Sequence, residues 1–338
     1  MPKKNVYFYP ITSRNNSGVG NPYTSHLIDA LSAHFNIVNR TDPSGTGILN
    51  LMKYLNKADI LFLNWLEDLP DKKYGYLQTI IFFFMFHYLR LRKVSVCWVL
   101  HNKFSHYKKN SKLKSWLFRM LAARSTHIVT HSEEGLHYLK NYDPRHDHNI
   151  IFFHHPVMSR SPVKSPQKKY DILIWGSLIE YKGVDKFLEY IHSQGLEKKY
   201  QIRIAGKIFS EAYRKTLLSY AGEYITIEDR FVDDDELYSM IGMSRMVLFT
   251  YKHESVLSSG ALMDSLSVRA TVAGPDTGAF RDLGREGLVI TYSGFDDLIR
   301  KTDLILENRE SIDQVKLTRF IEQHSWKAFG SQLARFLN

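Results

Sequence analysis

The sequence predicts an α/β protein with two doubly wound domains, each built on a parallel sheet covered by helices on both faces. Short apolar runs alternate with helical patterns along the whole chain, and near-continuous apolar strands are typical of sheets buried on both sides. The alternation pauses once, where residues 156–169 contain three prolines, three serines and three lysines. The chain has 338 residues, which is enough for two domains with separate cores.

The first half supplies one complete alternation of strands and helices. A helix is predicted after the first strand, because Tyr23, Leu27, Leu31 and Phe35 recur at intervals of four. Another begins after Ser132, a residue type that caps helix N-termini. The predicted strands of this half are 6–9, 37–38, 60–63, 94–100, 127–130 and 150–153.

The second half repeats the pattern and completes the predicted domain organisation. Its strands are expected at 171–175, 201–205, 224–227, 246–251, 270–273 and 288–291, with helices near 184–192, 211–220 and 234–240. We therefore predict an N-terminal domain, a linker, a C-terminal domain and a closing helix at residues 1–157, 158–169, 170–322 and 323–338.

The composition indicates which cellular compartment and which binding partners to expect. The net charge of +10 favours a negatively charged partner such as a nucleotide, a phosphorylated lipid or an anionic membrane face. The single cysteine, Cys97, lies in an apolar run and is predicted to be a buried thiol in a reducing compartment. The longest apolar run, 79–86, is far shorter than the ~20 residues of a spanning helix. A cytoplasmic protein is expected, with attachment to the inner face of the plasma membrane left open.

Candidate binding residues follow the predicted strands. Gly18 and Gly20 lie in a polar loop that would allow close approach of a phosphate or sugar, although a plain loop explains them as well. His101 ends a strand, where histidine can contact substrate or carry a proton, although an ordinary surface histidine at a strand end is the alternative. Gly176 and Lys182 bring a glycine and a cation to a helix start, which suits a diphosphate.

A second phosphate-binding candidate follows the strand at 246–251. Ser258, Ser259 and Gly260 are expected at the start of a helix, where phosphate oxygens can accept hydrogen bonds from backbone N–H groups. Glu254, just before them, can accept hydrogen bonds from sugar hydroxyls. Ordinary helix capping accounts for the serines equally well.

In this order the segments resemble the GT-B glycosyltransferases, particularly the large family-4-like group, over nearly the whole chain. The motif-bearing segments are 176–183, 204–207, 231–238 and 254–278. The resemblance implies two Rossmann-like domains facing a central cleft. It further implies that Lys182 binds the donor diphosphate, Glu254 contacts the donor sugar, His101 is the histidine of the cleft, and Val232 lies where the base packs. By the same resemblance Gly18 and Gly20 would let the N-terminal loop approach the donor.

Two positions depart from the family pattern. Ser177 stands where the family commonly has an arginine, so the missing cation would come from elsewhere, with Lys207 as the candidate. The family has a second glutamate eight residues after the first, which usually holds the ribose. Eight residues after Glu254 this chain has Leu262 instead of that glutamate. Its absence predicts a divergent branch in which residues 258–260 hold the phosphates.

Other signals favour structural explanations or membrane contact. Asp233–Asp235 is interpreted as a helix cap with acidic first-turn residues, so no metal site is predicted. Histidines 146, 148, 154 and 155 are interpreted as a solvated cluster beside a strand. The basic segment 108–114, the aromatic residues 82–86 and the basic residues 90–93 are consistent either with solvated helix faces or with a membrane-surface contact.

The expected activity is transfer of a sugar from a nucleotide-sugar donor, with UDP slightly favoured over GDP, and no further cofactor or metal. The acceptor is expected to be a saccharide, and in particular a lipid-linked intermediate of surface polysaccharide synthesis. A GT-B-fold sugar-nucleotide epimerase and a non-catalytic sugar-nucleotide-binding relative remain alternatives. A nucleic-acid partner is not expected, because the chain shows no recognised nucleic-acid motif.

Overall fold

The chain folds into two compact units in a computed structural model. One unit contains residues 1–156 and 325–338, and the other contains residues 157–324. The structure describes residues 2–11, 22–103, 110–142, 149–163, 167–252 and 257–338.

The first unit is built on six parallel strands in the order β2-β1-β3-β4-β5-β6. The strands are β1 (Asn5–Tyr9), β2 (Asn36–Ile37), β3 (Ile60–Asn64), β4 (Ser95–Leu100), β5 (His127–Thr130) and β6 (Ile150–Phe152). The connecting helices are α1 (Pro22–Ser32), α2 (Gly75–Leu91), α3 (Ser111–Arg124) and α4 (Glu133–Tyr142), with short 3₁₀ helices at Gly47–Tyr54 and Leu66–Asp71.

The second unit has the same plan, with strand order β12-β11-β10-β7-β8-β9 and parallel pairing throughout. The strands are β7 (Tyr170–Trp175), β8 (Ile202–Ala205), β9 (Ile225–Glu228), β10 (Ser244–Leu248), β11 (Val272–Pro275) and β12 (Ile290–Tyr292). The helices are α5 (Val184–Ser193), α6 (Glu211–Leu218), α7 (Asp234–Gly242), α8 (Gly260–Ser267), α9 (Gly278–Arg285), α10 (Phe295–Leu306) and α11 (Gln314–Gln323).

The last helix, α12 (Trp326–Leu337), belongs to the first unit although it follows the second in sequence. Its apolar residues Phe329 and Leu333 are fully buried in the core that also contains the stripe of α1. A side chain at Gly330 would approach the backbone oxygen of Ala30 to 2.7 Å, so glycine allows the two helices to pack closely.

The predicted fold class is confirmed, because two six-stranded parallel sheets are each covered by helices. The central strands β3 and β4 are buried on both faces, as their apolar runs predict. Two local interpretations also hold. The Asp233 carboxylate caps α7 by accepting from the backbone N–H of Glu236 at 2.9 Å, and Ser132 accepts from Gly135 at 3.1 Å at the start of α4. Cys97 is buried in β4.

Candidate active site

The carboxyl edge of the second sheet carries the predicted donor residues. β7 is the strand at which the order reverses, because β8 and β9 follow on one side and β10 to β12 on the other. In doubly wound sheets, ligands bind outside the strand ends at such a point. The described segments that flank it are 176–183 after β7 and 249–252 with 257–260 after β10.

Glycines fix these segments against their neighbours. A Cβ at Gly206 would lie 1.8 Å from the backbone oxygen of Gly176, so only glycine lets the segments after β7 and β8 approach this closely. Gly183 has a φ of 69°, and a Cβ there would lie 2.6 Å from the backbone oxygen of Thr250. The Thr250 hydroxyl donates to the backbone oxygen of Lys182 at 2.6 Å. The position of Lys182 is therefore set by backbone contacts.

Lys182 is a buried cation at this edge. Lys182 is only 9% exposed. Its Nζ lies beside Gly176, on the side where a side chain would be, and is 5.7 Å from the ring centre of Tyr251. Burial lowers the pKa of the amine to about 8, and no carboxylate of the described residues offsets this effect. A buried ammonium without a counter-charge is costly, so the site favours an anionic ligand.

Tyr251 connects this lysine to the start of α8. Its hydroxyl lies 3.2 Å from Oγ of Ser259. Ser259 is the N-cap of α8 and accepts from the backbone N–H of Leu262 at 3.3 Å. The next residue, Gly260, has open space where a side chain would be. The first N–H groups of a helix have no partner within it, so they are available to an anion at this position.

Sequence reasoning missed a carboxylate in α8. Asp264 lies one helical turn after Gly260 and therefore on the same face. Burial raises the pKa of its carboxyl to about 6, while the charge of Arg160 opposes the rise. Counting a fixed spacing from Glu254 led to Leu262, so the carboxylate two residues later was not considered. Its helical position relative to the cap residues was the signal that could have revealed it.

The other predicted donor residues have different surroundings. The amine of Lys207 forms an ion pair with Asp229 at 3.0 Å, and the same carboxylate also accepts from Arg214. Lys207 therefore has a carboxylate partner, which Lys182 lacks among the described residues. Ser177 is exposed, and Val232 is half-buried against the second core. Their predicted roles stay predictions.

The first unit gathers aromatic and imidazole rings beside His101, which directly follows β4. The imidazole stacks on Trp65 with ring centres 4.1 Å apart and an angle of 13° between the planes. Tyr23, from α1, meets His101 edge-on at 4.9 Å and shares a hydrogen bond of 2.7 Å with Nε2 of His131. His155 lies 5.3 Å from His131, centre to centre. All five residues belong to the first unit.

Burial keeps these imidazoles neutral. Desolvation lowers the pKa of His101 well below 6.5, and the neighbouring histidines lower it further. The same effect lowers the pKa of His131 to about 3 and that of His155 to about 4. His101 therefore offers a neutral ring near pH 7, one nitrogen of which is an acceptor.

The interpretation of the histidines at 154 and 155 as solvated is wrong. His154 is 8% exposed and His155 is 7% exposed, because the turn after β6 places both among buried aromatic residues. His146 and His148 lie outside the described residues. Within the ranges that the structure describes, no three His, Cys, Asp or Glu side chains are arranged to hold a metal ion.

The basic and aromatic segments also need correction. Phe82 and Phe86 are fully buried, whereas Phe84 is 67% exposed, so only part of the aromatic run faces outward. Lys114 is buried and paired with Asp71, and its charge is not available at the surface. Among the described residues, no helix is long and apolar enough to cross a membrane.

Three predicted site residues, Gly18, Gly20 and Glu254, lie outside the described residues. Of the others, the second unit brings together Gly176, Lys182, Ser259 and the exposed Gly260, with Ser258 half-buried just before the cap. Their predicted contacts with a donor stay predictions.

The chain resembles several solved structures of glycosyltransferases. HepE of Anabaena, crystallised with UDP and glucose, matches with a TM-score of 0.71 and 10% identity over 99% of both chains. Sucrose-phosphate synthase of Thermosynechococcus elongatus matches with a TM-score of 0.69 and 12% identity, over 99% of this chain and 98% of its own. The lipopolysaccharide outer core galactosyltransferase WaaB, in its apo form, matches with a TM-score of 0.64 and 13% identity, over 98% and 99%.

No protein-family model matches the chain. No curated protein matches it by sequence. At 10–13% identity the structural likeness establishes the fold, and it confirms the GT-B architecture that the sequence motifs resemble.

Proposed function

We propose that the protein is a glycosyltransferase that moves a sugar from a nucleotide-sugar donor, preferably a UDP-sugar, onto a saccharide acceptor. The proposal depends chiefly on the buried Lys182 ammonium beside the start of α8, at the reversal point of a parallel sheet, which has no carboxylate partner within the described part of the chain. A diphosphate supplies the two negative charges and the acceptor oxygens that such a place requires. The UDP bound in HepE supports a UDP donor.

The donor is held by the second unit. Lys182 and the N–H groups after Ser259 bind the diphosphate, with Gly176, Ser177 and Ser258 lining it. Val232 packs against the base. Because Lys207 already has Asp229 as an ion-pair partner, it is a secondary phosphate contact.

Asp264 takes the role of the family's second glutamate and accepts hydrogen bonds from the ribose. A ribose follows a diphosphate directly in a nucleotide sugar, and Asp264 follows the exposed Gly260 by one turn on the same helix face. Its half-buried carboxyl accepts no hydrogen bond from the described residues and can therefore accept one from a ligand, which supports this role.

The first unit holds the acceptor, and His101 with Glu254 contacts the transferred sugar. Gly18 and Gly20 allow the N-terminal loop to approach the donor. In domain terms, residues 1–157 form the acceptor domain, 158–169 the linker, 170–322 the donor domain and 323–338 the closing helix.

A binding screen tests the donor assignment first. UDP at one hundred times its Kd should stabilise the protein by about 2.7 kcal/mol, which is visible as a raised melting temperature, and GDP, ADP and CMP should have smaller effects. The same preparation should transfer sugar from a UDP-sugar to a saccharide acceptor in the presence of EDTA.

Each alternative has its own outcome in that assay. Isomerisation of the donor without an acceptor would indicate an epimerase, and binding without turnover would indicate a non-catalytic relative. A strict need for Mn²⁺ or Mg²⁺ would contradict the metal-independent mechanism. If no nucleotide stabilises the protein, the donor site itself is wrongly assigned.

The acceptor is lipid-linked, and the protein works at the inner face of the plasma membrane as a peripheral enzyme. Support comes from α2, whose outward face exposes large apolar side chains. Residues 77, 80, 84, 88 and 91 follow one another at intervals of three or four, so they form one stripe. Their exposed fractions range from 43% for Tyr88 to 84% for Leu91.

Positive charge surrounds this stripe. Exposed cations lie before α2, at Lys72 and Lys73, and at its end, at Arg90, Arg92 and Lys93. Neither α2 nor α3 contains an acidic residue. An apolar stripe flanked by cations has the chemistry that binds anionic lipid surfaces.

Replacing Leu77, Ile80 and Phe84 together by glutamine should weaken binding to vesicles of 30% phosphatidylglycerol at least about tenfold, since their apolar area is no longer buried in lipid. Wild-type binding should weaken as salt rises from 50 to 500 mM, because exposed charges are screened. Vesicle sedimentation measures both. The control is Val315→Gln, which removes an equally exposed apolar side chain from α11.

Equal binding of the wild type to neutral and anionic vesicles would contradict the membrane assignment. So would a loss of binding in the Val315 variant that matches the loss in the triple variant. Thermal melts of both variants show whether the surface changes leave the fold intact.

A further inference from the structure

The end of β3 holds the His101 ring in one orientation. Asn64, the last residue of β3, is fully buried, and its Oδ1 lies 3.1 Å from Nε2 of His101. Its Nδ2 lies 3.3 Å from the backbone oxygen of Tyr9. A backbone oxygen can only accept, so the amide nitrogen must face Tyr9 and the amide oxygen must face His101.

This arrangement determines the tautomer of His101. Because Oδ1 of Asn64 can only accept, the proton of the neutral imidazole is on Nε2, and Nδ1 carries the lone pair. The titratable groups that face the ring within the described residues are Tyr23, His131 and His155. None of these is an anion near pH 7, so none of them stabilises a charged imidazole.

Trp65 fixes the plane of the same ring. It follows Asn64 directly, stacks on His101 at 4.1 Å, and has a φ of 47°, in the left-handed region that non-glycine residues rarely occupy. Such a backbone is strained and persists where its surroundings require it. The strained residue is the one whose ring covers the imidazole.

We propose that Asn64 is a positioning residue that holds His101 as the neutral Nε2–H tautomer and thereby presents Nδ1 as a hydrogen-bond acceptor for a sugar hydroxyl. This rests on the proposed function, in which His101 contacts the sugar. It narrows the role of His101, which accepts a hydrogen bond and does not donate a proton. No other group of the described part of the chain hydrogen-bonds to the ring, so the tautomer depends on Asn64.

The first test determines the tautomer of His101 directly and does not depend on a measurement of enzyme activity. Histidine ¹⁵N chemical shifts at pH 7 should show that His101 is protonated at Nε2 in the wild type. The signals of His101 are identified as those that disappear in His101→Ala. In Asn64→Asp the carboxylate stabilises the imidazolium, so both nitrogens of His101 should be protonated in a wider pH range. A wild-type ring that is protonated at Nδ1, or charged, would overturn the proposal even if the enzyme transfers sugar.

The second test measures kcat and KM in the same variants. Asn64→Asp should lower kcat at pH 7 about tenfold, with recovery as pH rises and the imidazolium loses its proton, while the KM for donor stays within about twofold. Added to His101→Ala, the same substitution should lower kcat no further. An equal loss in both backgrounds, or a loss without pH dependence, would mean that Asn64 acts only through folding.

The outcomes separate the two claims. If the tautomer is as proposed but His101→Ala turns over at the wild-type rate, the proposed function of His101 fails. If His101→Ala is slow but Asn64→Asp behaves as the wild type, the positioning role fails.

Discussion

Replacement of His101 by alanine is expected to lower kcat about a hundredfold or more while the affinity for UDP stays within about twofold. His101 belongs to the first unit, whereas Lys182, Ser259 and Asp264 belong to the second. A residue that contacts only the reacting sugar contributes to the transition state and leaves nucleotide binding unchanged. Steady-state kinetics and a UDP titration by calorimetry measure the two quantities separately.

Two further variants keep this result interpretable. His101 is buried and stacked, so alanine leaves a cavity, and His101→Gln fills more of the space while removing the imidazole. His137→Ala, on the exposed face of α4, is the control for a general loss of histidine. A hundredfold loss of UDP affinity in His101→Ala would show that the substitution disturbs the whole protein. Wild-type turnover would remove His101 from the active site.

Periodicity predicted the architecture but not every element. The strands were recognised because a sheet buried on both faces requires apolar runs. Helix α2 was not recognised as a helix with an exposed apolar face, because Phe82, Phe84 and Phe86 look alike in sequence and only their angular positions separate buried from exposed side chains.

The candidate site was predictable where one short segment contains it. Lys182 and Ser259 are adjacent to helix starts, which sequence patterns locate well. The contacts of Asn64 and Trp65 with His101 were not predictable, because His101 is 37 residues later than Asn64 and is brought beside it by pairing of β3 with β4. Asp264 was missed because the spacing of eight residues from Glu254 falls on Leu262, two residues before it.

The burial of His154 and His155 was misjudged for a related reason. Clustered histidines are usually solvated, and nothing local shows that the turn after β6 passes beneath α1 and α12. The rings of Tyr23 and Trp326, from those two helices, lie 5.2 and 6.0 Å from the ring of His155. Long-range packing decides the exposure of these residues.

Affinity for a UDP-sugar should be highest between pH 6 and pH 8 and fall on both sides. On the alkaline side the cause is Lys182, whose pKa of about 8 in the free protein means that its charge is lost as pH rises through that value. If only the ammonium form binds the diphosphate, affinity falls about tenfold between pH 7 and pH 9. On the acid side the cause is Asp264, whose pKa of about 6 means that its carboxylate is protonated as pH falls.

Single substitutions should remove one side of this profile at a time. Lys182→Met should weaken binding at pH 7 at least about tenfold, since one charge-assisted contact with the diphosphate is lost, and the remaining affinity should no longer fall between pH 7 and pH 9. Asp264→Asn should remove the fall below pH 6. A UDP-sugar is the appropriate ligand because its diphosphate keeps two negative charges throughout this range.

Lys186→Met provides the matched control for Lys182. Lys186 lies four residues later in α5, and its side chain is 57% exposed and paired with Glu189 at 2.8 Å, so its removal should leave UDP-sugar affinity within about twofold at every pH. Isothermal titration at five pH values between 5 and 9 measures all four proteins. Unchanged affinity in Lys182→Met would remove this lysine from the diphosphate site. An alkaline fall that persists in Lys182→Met would assign that titration to another group, because the pKa of the Lys182 amine then has no part in binding.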